Sequence, residues 1–259
     1  MTRTVVVTGA SSGIGAALAR QLGARGERLV LAARRETELR RLAAEIGKDA
    51  LAVGTDVTRR RDVDALRDRA IGAFGSIDVW INNAGRGVSK NVLDLTDQDV
   101  DEMMTVNLKS ALYGMQAVVP YFIEQGHGHV INISSFLSRV PMATIRSAYS
   151  ASKAALNSLT ANLRMDVAAA HPDIHVTLVM PGLVSTEFAS NALHGTPPMS
   201  PASSAAAPAS QTADEVAAVI VAAIDRPVAE VYTAPYLAPL ARRYFEDVGA
   251  FERSMAASR

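Results

Sequence analysis

Residues 5–18 have the sequence VVVTGASSGIGAAL, in which an apolar, β-branched run is followed by glycines at positions 9, 13 and 15. The run predicts a strand and the alanine-rich residues after Gly15 predict a helix. Gly9 would permit the tight turn, Gly13 would let a pyrophosphate approach the backbone, and Gly15 would let the helix pack closely on the strand. The free N–H groups of the helix N-terminus suit a phosphate. Three glycines can also form a simple tight connection, but this arrangement favours dinucleotide binding.

Apolar runs of the same kind recur along the chain, separated by amphipathic segments of helical length. The predicted strands are 4–9, 28–33, 50–55, 77–83, 129–134, 175–180 and 229–234, and the predicted helices are 13–25, 36–46, 59–73, 97–124, 148–170, 213–224 and 236–246. Continuous apolar strands indicate burial on both faces, as in a parallel sheet covered by helices. The alternation predicts right-handed βαβ units in a three-layer, doubly wound α/β fold of the Rossmann type. No linker interrupts it, so we expect a single domain over residues 1–259.

Composition and charge exclude several classes of function. The 259 residues include 26 Lys plus Arg and 26 Asp plus Glu, so there is no electrostatic argument for a nucleic-acid or membrane partner. The absence of cysteine excludes disulfides, thiolate metal sites and a cysteine nucleophile. The five histidines show no ligand-like pairing, so no metal site is expected. The first apolar run is too short for a signal peptide or a membrane span, which predicts a cytoplasmic protein.

The end of the second predicted strand bears on the choice of cofactor. In NAD-binding proteins an acidic residue about 20 positions after the glycines holds the ribose hydroxyls. Here the sequence is LAARRETE, with Ala33 at the place of the acid and Arg34 next to it. An arginine can pair with a 2′-phosphate, so NADP(H) is predicted over NAD(H). The alternative is that Arg34 and Arg35 only begin a solvated helix. Asp56, after the third strand, could accept from the adenine amino group or cap the next helix.

Six motifs follow one another along the chain: TGASSGIG (8–15), NNAG (82–85), VN (106–107), INISS (131–135), YSASK (149–153) and PG (181–182). In this order they resemble the short-chain dehydrogenase/reductase family in its short, single-domain, classical form, over about residues 3 to 190. The resemblance implies an NAD(P)-dependent oxidoreductase that interconverts a carbonyl compound and a secondary alcohol.

The resemblance also implies a role for each matching residue. Tyr149 would be the general acid or base, and Lys153, on the same helix face, would lower the pKa of Tyr149 and bind the nicotinamide ribose. Ser135 would polarise the substrate carbonyl, and Asn107 would hold a water linking Lys153 to solvent. The implied cofactor-binding set is Gly9, Ser11, Ser12, Gly13, Ile14, Gly15, Arg34, Asp56, Val57, Asn83, Ala84, Gly85, Tyr149, Lys153, Pro181, Gly182, Val184 and Thr186.

One departure concerns the pocket-lining segment ahead of Tyr149. Ser135 and Tyr149 are fourteen positions apart, one more than in the family pattern, and Ser138 replaces the usual glycine. A loop can absorb one residue without moving the strand end or the helix, so Ser135 remains the candidate. Ser134 is the fallback, although alternation along a strand would point it the other way.

Two further expectations concern the segment 186–211 and the assembly. Residues 194–211 are rich in Pro, Ser and Ala, which fits either a disordered insertion or a mobile lid; the resemblance favours a substrate lid at 186–211. It also implies a homodimer or homotetramer through helices 97–124 and 148–170. The alternatives to a carbonyl reductase are a catalytically silent NADP(H)-binding regulator and an epimerase or dehydratase, which generally needs an additional substrate domain.

Overall fold

A parallel β-sheet forms the centre of the computed structural model, which describes residues 2–188, 191–195 and 210–257. Within these residues the sheet has seven strands in the order β3-β2-β1-β4-β5-β6-β9, all parallel. The strands are β1 (Thr4–Thr8), β2 (Arg28–Ala33), β3 (Ala50–Gly54), β4 (Val79–Asn82), β5 (Gly128–Ile133), β6 (Ile174–Met180) and β9 (Glu230–Tyr232). A separate parallel pair joins β7 (Val184–Ser185) to β8 (Gln211–Thr212).

Helices connect the strands and cover both faces of the sheet. Their bounds are α1 (Gly13–Ala24), α2 (Glu36–Ile46), α3 (Arg60–Phe74), α4 (Asp97–Met104), α5 (Ser110–Gln125), α6 (Ser147–Ala168), α7 (Ala213–Asp225), α8 (Leu237–Glu246) and α9 (Val248–Ala257). The three-layer, doubly wound fold predicted from the sequence is thus confirmed. Helix α9 was not predicted.

Burial of β1 on both faces explains the three layers. Val5 and Val7 point to one face, where they pack in a core shared with α1, α2 and α7. Val6 points to the opposite face and packs with residues of α3, α5 and α6. Because every residue of β1 is buried, neither face of this strand can be left to solvent.

The strand order places the candidate functional segments at the carboxyl ends of the central strands. β1 lies between β2 and β4, so successive connections leave it in opposite directions. A crevice forms at such a switch point, outside the carboxyl ends of the strands, and it is where doubly wound folds bind ligands. The glycine-rich turn after β1 and the NNAG motif at the end of β4 both lie there.

A buried polar chain ties the central strands to α6. Trp80 Nε1 donates to Asn82 Oδ1 at 2.8 Å, and Asn82 Nδ2 donates to Asn132 Oδ1 at 2.8 Å. Asn132 Nδ2 then donates to Thr160 Oγ1 on α6 at 2.9 Å. Buried amides are costly unless they are hydrogen-bonded, so this chain fixes β4, β5 and α6 relative to one another.

One predicted helix differs from the structure, and part of the predicted lid lies outside the described residues. The helix predicted over 97–124 is divided by a π-helical turn at Thr105–Lys109, which separates α4 from α5. Of the predicted lid, residues 189–190 and 196–209 lie outside the described residues. Among those described, residues 186–188 and 191–195 run beside the loop after β4, with a bridge between Val88 and Leu193.

Candidate active site

Tyr149 and Ser135 meet at the carboxyl end of β5. Tyr149 lies in the first turn of α6, where its side chain is buried and its phenol lies near the hydroxyl of Ser135. Ser135 Oγ also accepts from the backbone N–H of Leu137 at 3.2 Å. Because this donor occupies a lone pair, the hydroxyl hydrogen of Ser135 remains available for an oxygen in front of it.

The neighbouring Ser134 points to the other side of the strand, as predicted. Its hydroxyl donates to Asn157 Oδ1 at 2.6 Å, inside the protein. Ser138, which replaces the expected glycine, lies in a 3₁₀ turn at Phe136–Ser138, where its hydroxyl donates to the Ser135 carbonyl and accepts from Asn157 Nδ2 at 2.7 Å. The loop absorbs the extra residue, and Ser135 still reaches Tyr149.

Lys153 lies one helical turn after Tyr149, on the same face of α6. Its Nζ donates to the carbonyl oxygen of Ile133 at 2.8 Å, at the end of β5. Burial lowers the pKa of Lys153 to about 8, because the charged ammonium is desolvated. The ammonium form still predominates at neutral pH.

The expectation that Lys153 lowers the pKa of Tyr149 is wrong for the structure as described. Burial raises the pKa of the Tyr149 phenol, while the nearby Ser135 hydroxyl and the charge of Arg146 act in the opposite direction. Desolvation is the largest effect because the phenol is almost inaccessible to solvent. Tyr149 is therefore held protonated near neutral pH, in the form that can donate a proton.

Asn107 is positioned by the π-helical turn between α4 and α5. Its Oδ1 accepts from Arg86 N at 2.9 Å, and its Nδ2 donates to Arg86 O at 2.9 Å and to Ser152 Oγ at 3.0 Å. A methyl group at Gly85 would lie 3.0 Å from Asn107 Oδ1 and 3.4 Å from Lys153 Nζ. Asn107 and Lys153 thus face the same small space beside Gly85.

The glycine-rich turn has the backbone conformation that its sequence predicted. Gly9 and Gly13 have φ values of +67° and +55°, in the region that favours glycine. A methyl group at Gly15 would lie 2.5 Å from the carbonyl oxygen of Gly9, so this position is packed tightly against the turn. Helix α1 begins at Gly13 and has no side-chain cap, which leaves its first N–H groups without a side-chain acceptor.

Arg35, rather than Arg34, contacts the glycine-rich turn. Arg35 Nε donates to Ser11 Oγ at 3.1 Å, and its Nη2 donates to Ser12 Oγ. Its Nη1 lies 3.5 Å from a carboxylate oxygen of Glu187. Arg34 is exposed and lies toward Asp56, and its charge is one of the effects on the pKa of that carboxyl.

The side chain of Asp56 is hydrogen-bonded within the turn that follows β3. Its Oδ1 accepts from the N–H and the hydroxyl of Thr58 at 3.1 and 2.7 Å. Burial opposes ionisation, but these hydrogen bonds with Thr58 and the charges of Arg34 and Arg59 together lower the pKa of Asp56. The adjacent Val57 packs against the core on the α3 side of the sheet.

The remaining predicted cofactor residues surround the same crevice. Thr8 Oγ1 accepts from the N–H groups of Asn83 and Ala84 at 3.0 and 3.1 Å, which fixes the turn after β4 beside β1. Thr186 lies 3.4 Å from a methyl group placed at Gly13. The others are held by packing or by backbone hydrogen bonds: Ile14 and Val184 in the core with α1, Pro181 through its carbonyl to Phe136 N, and Gly182 against Tyr236 and Leu237.

Comparison with known proteins decides the family. The sequence model of the family described as short chain dehydrogenase matches residues 3–196. The chain belongs to the short-chain dehydrogenase family. An uncharacterised oxidoreductase of Staphylococcus aureus is 39% identical to it over 185 residues, which are 71% of this chain and 79% of that protein.

Solved structures agree with this family assignment. A short-chain dehydrogenase/reductase from Burkholderia phymatum in complex with NAD is 27% identical, with a TM-score of 0.86 over 96% of this chain and 95% of that one. A short-chain dehydrogenase from Sphingobium yanoikuyae in complex with NADPH is 30% identical, with a TM-score of 0.79 over 98% and 95% of the two chains. The protein is therefore an oxidoreductase of this family.

Two further residues of this short-chain dehydrogenase lie at the mouth of the site. The ring of Phe188 tilts over that of Tyr149, with the ring centroids 5.3 Å apart. Arg146 lies one helical turn before Tyr149 and donates to Val88 O at 3.2 Å and to Ser89 Oγ at 3.1 Å. The sequence indicates Arg146 as one of the few charged residues in the pocket-lining loops and Phe188 only as a residue of the core or of the pocket wall.

The described part of this short-chain dehydrogenase has no helix that is long and apolar enough to cross a membrane. Over the same residues there is no cluster of three or more His, Asp or Glu side chains that could hold a metal ion.

Proposed function

We propose that the chain is an NADP(H)-dependent oxidoreductase that reduces a ketone or aldehyde, or oxidises the corresponding alcohol, with Tyr149 as the general acid or base. The observation that carries the proposal is that the hydroxyl groups of Ser135 and Tyr149 lie beside each other at the end of β5, near enough for Ser135 to act on the pKa of the phenol. Two hydroxyl groups side by side can both reach one substrate oxygen, and a buried ammonium, Lys153, lies one helical turn away.

The residues around the glycine-rich turn fit a dinucleotide phosphate. They supply donors of two kinds: the first N–H groups of α1 and the hydroxyls of Ser11 and Ser12. Gly9 and Gly13 keep the backbone open at the turn, since a side chain at either position would be conformationally strained. Such a set of donors suits an anion.

The basic pair after β2 supports a preference for NADP(H). Ala33 occupies the place where an acidic residue would favour the ribose hydroxyls of NAD. Arg35 already lies over Ser11 and Ser12, and Arg34 is exposed beside it. Two guanidinium groups can together hold a 2′-phosphate, so we extend the predicted role of Arg34 to both residues. Among the structural neighbours, the Burkholderia phymatum protein is in complex with NAD and the Sphingobium yanoikuyae protein with NADPH, so either cofactor is compatible with the fold.

When bound, the nicotinamide cofactor supplies or accepts the hydride. In the direction of reduction, the hydroxyl of Ser135 donates to the carbonyl oxygen and polarises it, and Tyr149 transfers its phenolic proton to the same oxygen. The negative charge left on Tyr149 is stabilised by Ser135 and by the guanidinium of Arg146. Asn107 faces the space beside Lys153, through which the lost proton is replaced from solvent.

A substrate panel run with both cofactors tests the proposal. We expect ketones or aldehydes to be reduced with NADPH at a higher kcat/KM than with NADH. Tyr149→Phe should lower kcat by about 100- to 10,000-fold, the range of a lost general acid, while the Kd for NADPH is unchanged. Tight NADPH binding without turnover of any carbonyl or alcohol would instead favour a regulator. Turnover by Tyr149→Phe at the wild-type rate would exclude Tyr149 as the acid.

We also propose that the chain assembles as a homodimer or homotetramer through the helices predicted over 97–124 and 148–170, which are α4, α5 and α6 in the structure. The proposal rests on the family, whose members are typically oligomeric. Sedimentation equilibrium at several concentrations would measure the mass of the particle, and a monomer throughout would contradict it.

A further inference from the structure

Arg146 lies where the loops around the candidate active site come together. Its Nη1 donates to Val88 O and Ser89 Oγ in the loop after β4. A methyl group at Gly87 would lie 3.0 Å from this Nη1 and also 3.0 Å from the ring of Phe188. The guanidinium and the Phe188 ring are thus neighbours, and Phe188 in turn covers Tyr149.

The charge of Arg146 has no carboxylate partner, unlike the other basic side chains of these loops. Those side chains form ion pairs: Arg86 with Glu102 at 2.6 Å, Arg139 with Glu230 at 2.6 Å, and Lys90 with Asp99 at 2.8 Å. For Arg146 there is no carboxylate within ion-pair distance among the described residues. Residues 189–190 and 196–209 could not supply one, because their sequence contains neither Asp nor Glu.

The missing partner matters because the Arg146 guanidinium is partly buried. Burial lowers the pKa of Arg146, and the nearby Tyr149 oxygen opposes this only in part. The two hydrogens on Nη1 serve Val88 and Ser89, while Nε and Nη2 make no hydrogen bond to any residue described. That leaves one edge of the guanidinium with two parallel N–H groups, an arrangement that matches the two oxygens of a carboxylate.

The surroundings of Arg146 and Tyr149 are otherwise apolar. Tyr149 packs in a cluster with Val88, Met103, Ala148, Leu95, Leu137, Phe188 and Leu193. A ligand here would therefore find one cation, the two hydroxyls of Ser135 and Tyr149, and hydrocarbon. An apolar wall favours a compact carboxylate on a short aliphatic chain over a strongly hydrated dianion.

We propose that Arg146 binds a carboxylate of the substrate, so that the compound reduced is a short aliphatic oxo acid and the compound oxidised is the corresponding hydroxy acid. This inference rests on the proposed carbonyl chemistry of Tyr149 and adds the substrate class to it. Arg146 is the N-cap residue of α6, three residues before Tyr149, and its guanidinium lies near enough to the phenol for each group to act on the pKa of the other. The carboxylate and the carbonyl group should therefore be only a few bonds apart.

A purely structural role for Arg146 makes a different prediction. Through Val88 and Ser89 it fastens the loop after β4 to the start of α6, as Ser147 does by donating to Lys90 O at 2.7 Å. Glutamine can keep a hydrogen bond to this loop without the charge, and lysine can keep the charge without the planar fork. Arg146→Gln and Arg146→Lys thus separate fastening from binding.

The experiment compares oxo acids that have one, two and three carbons between carbonyl and carboxylate with their neutral methyl esters, in steady-state NADPH oxidation. For at least one length, the wild type should prefer the acid in kcat/KM. Arg146→Gln should lower kcat/KM for that acid by about 10- to 100-fold more than for its ester, the scale of a lost charge-assisted hydrogen bond. Arg146→Lys should retain more of the activity with the acid. The Kd for NADPH and the thermal midpoint serve as folding controls.

Two results would overturn the inference while leaving the proposed function intact. One is a wild type that reduces esters at least as well as acids of every length. The other is an Arg146→Gln enzyme that loses the same factor with acid and ester, which would show that Arg146 only fastens the loop. If no carbonyl compound at all is reduced, the proposed function fails and the inference fails with it.

Discussion

Replacing Arg35 by leucine tests whether this side chain, as well as Arg34, selects NADPH over NADH. Arg35 Nε lies 3.1 Å from Ser11 Oγ at the glycine-rich turn, and its side chain is 44% exposed. Hydrogen bonds to a charged group contribute about 1.5–3 kcal/mol when they are well formed, and solvent exposure reduces this. We therefore expect Arg35→Leu to weaken NADPH binding by about 10- to 50-fold and NADH binding by less than about threefold.

Removing the carboxylate of Glu187, which pairs with Arg35, should change NADPH affinity in the opposite direction. A 2′-phosphate would compete with Glu187 for Arg35, because the carboxylate lies 3.5 Å from its Nη1. Exposed ion pairs contribute about 0.2–1 kcal/mol, so Glu187→Gln should tighten NADPH binding by no more than about fivefold. NADH binding should not respond to this change.

Titration calorimetry of wild type, Arg35→Leu, Arg34→Leu and Glu187→Gln with both cofactors measures these effects, with thermal unfolding as the control for folding. Arg34→Asp adds a repulsive charge at the position predicted from the sequence. The reasoning would be refuted if Arg35→Leu left the ratio of the two affinities unchanged. It would also be refuted if Glu187→Gln weakened NADPH binding.

Three further predictions concern pH and stability. Burial lowers the pKa of His129 from 6.5 to about 3, so the unfolded chain binds this proton more readily, and the free energy of unfolding falls as the pH drops from 6.5 towards 3. In urea unfolding, the protein should be about 2–3 kcal/mol less stable at pH 4.5 than at pH 7, and His129→Gln should remove most of that loss. Lys153 loses its proton as the pH rises through about 8, so kcat/KM for reduction should fall above that pH. Lys153→Arg should shift this fall to a higher pH, and a kcat/KM that stays constant to pH 10 in the wild type would contradict the prediction. Gly9→Ala should lower the free energy of unfolding by about 2–3 kcal/mol in chemical denaturation, because φ at Gly9 is +67° and the new Cβ would lie 2.8 Å from Ala84 Cα. The control is Gly26→Ala, which has φ +76° but no atom within 4 Å of the new Cβ and should lower it by only about 1–2 kcal/mol.

The strands could be predicted because burial on both faces leaves a strong trace in the sequence. Val5, Val6 and Val7 form a continuous apolar run, and the structure sends alternate members into the two cores. The order of the motifs was equally informative, since the turns after β1 and β4 meet at the switch point of the sheet. The contact of Ser135 with Tyr149 followed from the same logic, because a loop can lengthen without moving the elements that it joins.

Three features could not be predicted, because they depend on the direction of a side chain, on a weak apolar periodicity or on the degree of burial. Nothing in the sequence ARRE shows which arginine turns toward Ser11 and Ser12. Helix α9 buries Phe251 but otherwise exposes most of its residues, so its apolar pattern is faint. The sequence also could not show that burial outweighs neighbouring charge in setting the pKa of Tyr149, because desolvation depends on how tightly the surrounding loops close over the phenol.

The π-helical turn at Thr105–Lys109 makes the position of Asn107 sensitive to chain length. Such a turn is an α-helix with one residue more than the helical repeat requires. Deleting one residue from it would restore a continuous α-helix, and either α4 or α5 would then rotate by about 100° relative to the other. The buried face of α5, with Met115, Val118 and Phe122, could not stay on the sheet while α4 kept its own packing. A one-residue deletion here should therefore damage the core and the site together, whereas a substitution of Asn107 removes only a side chain.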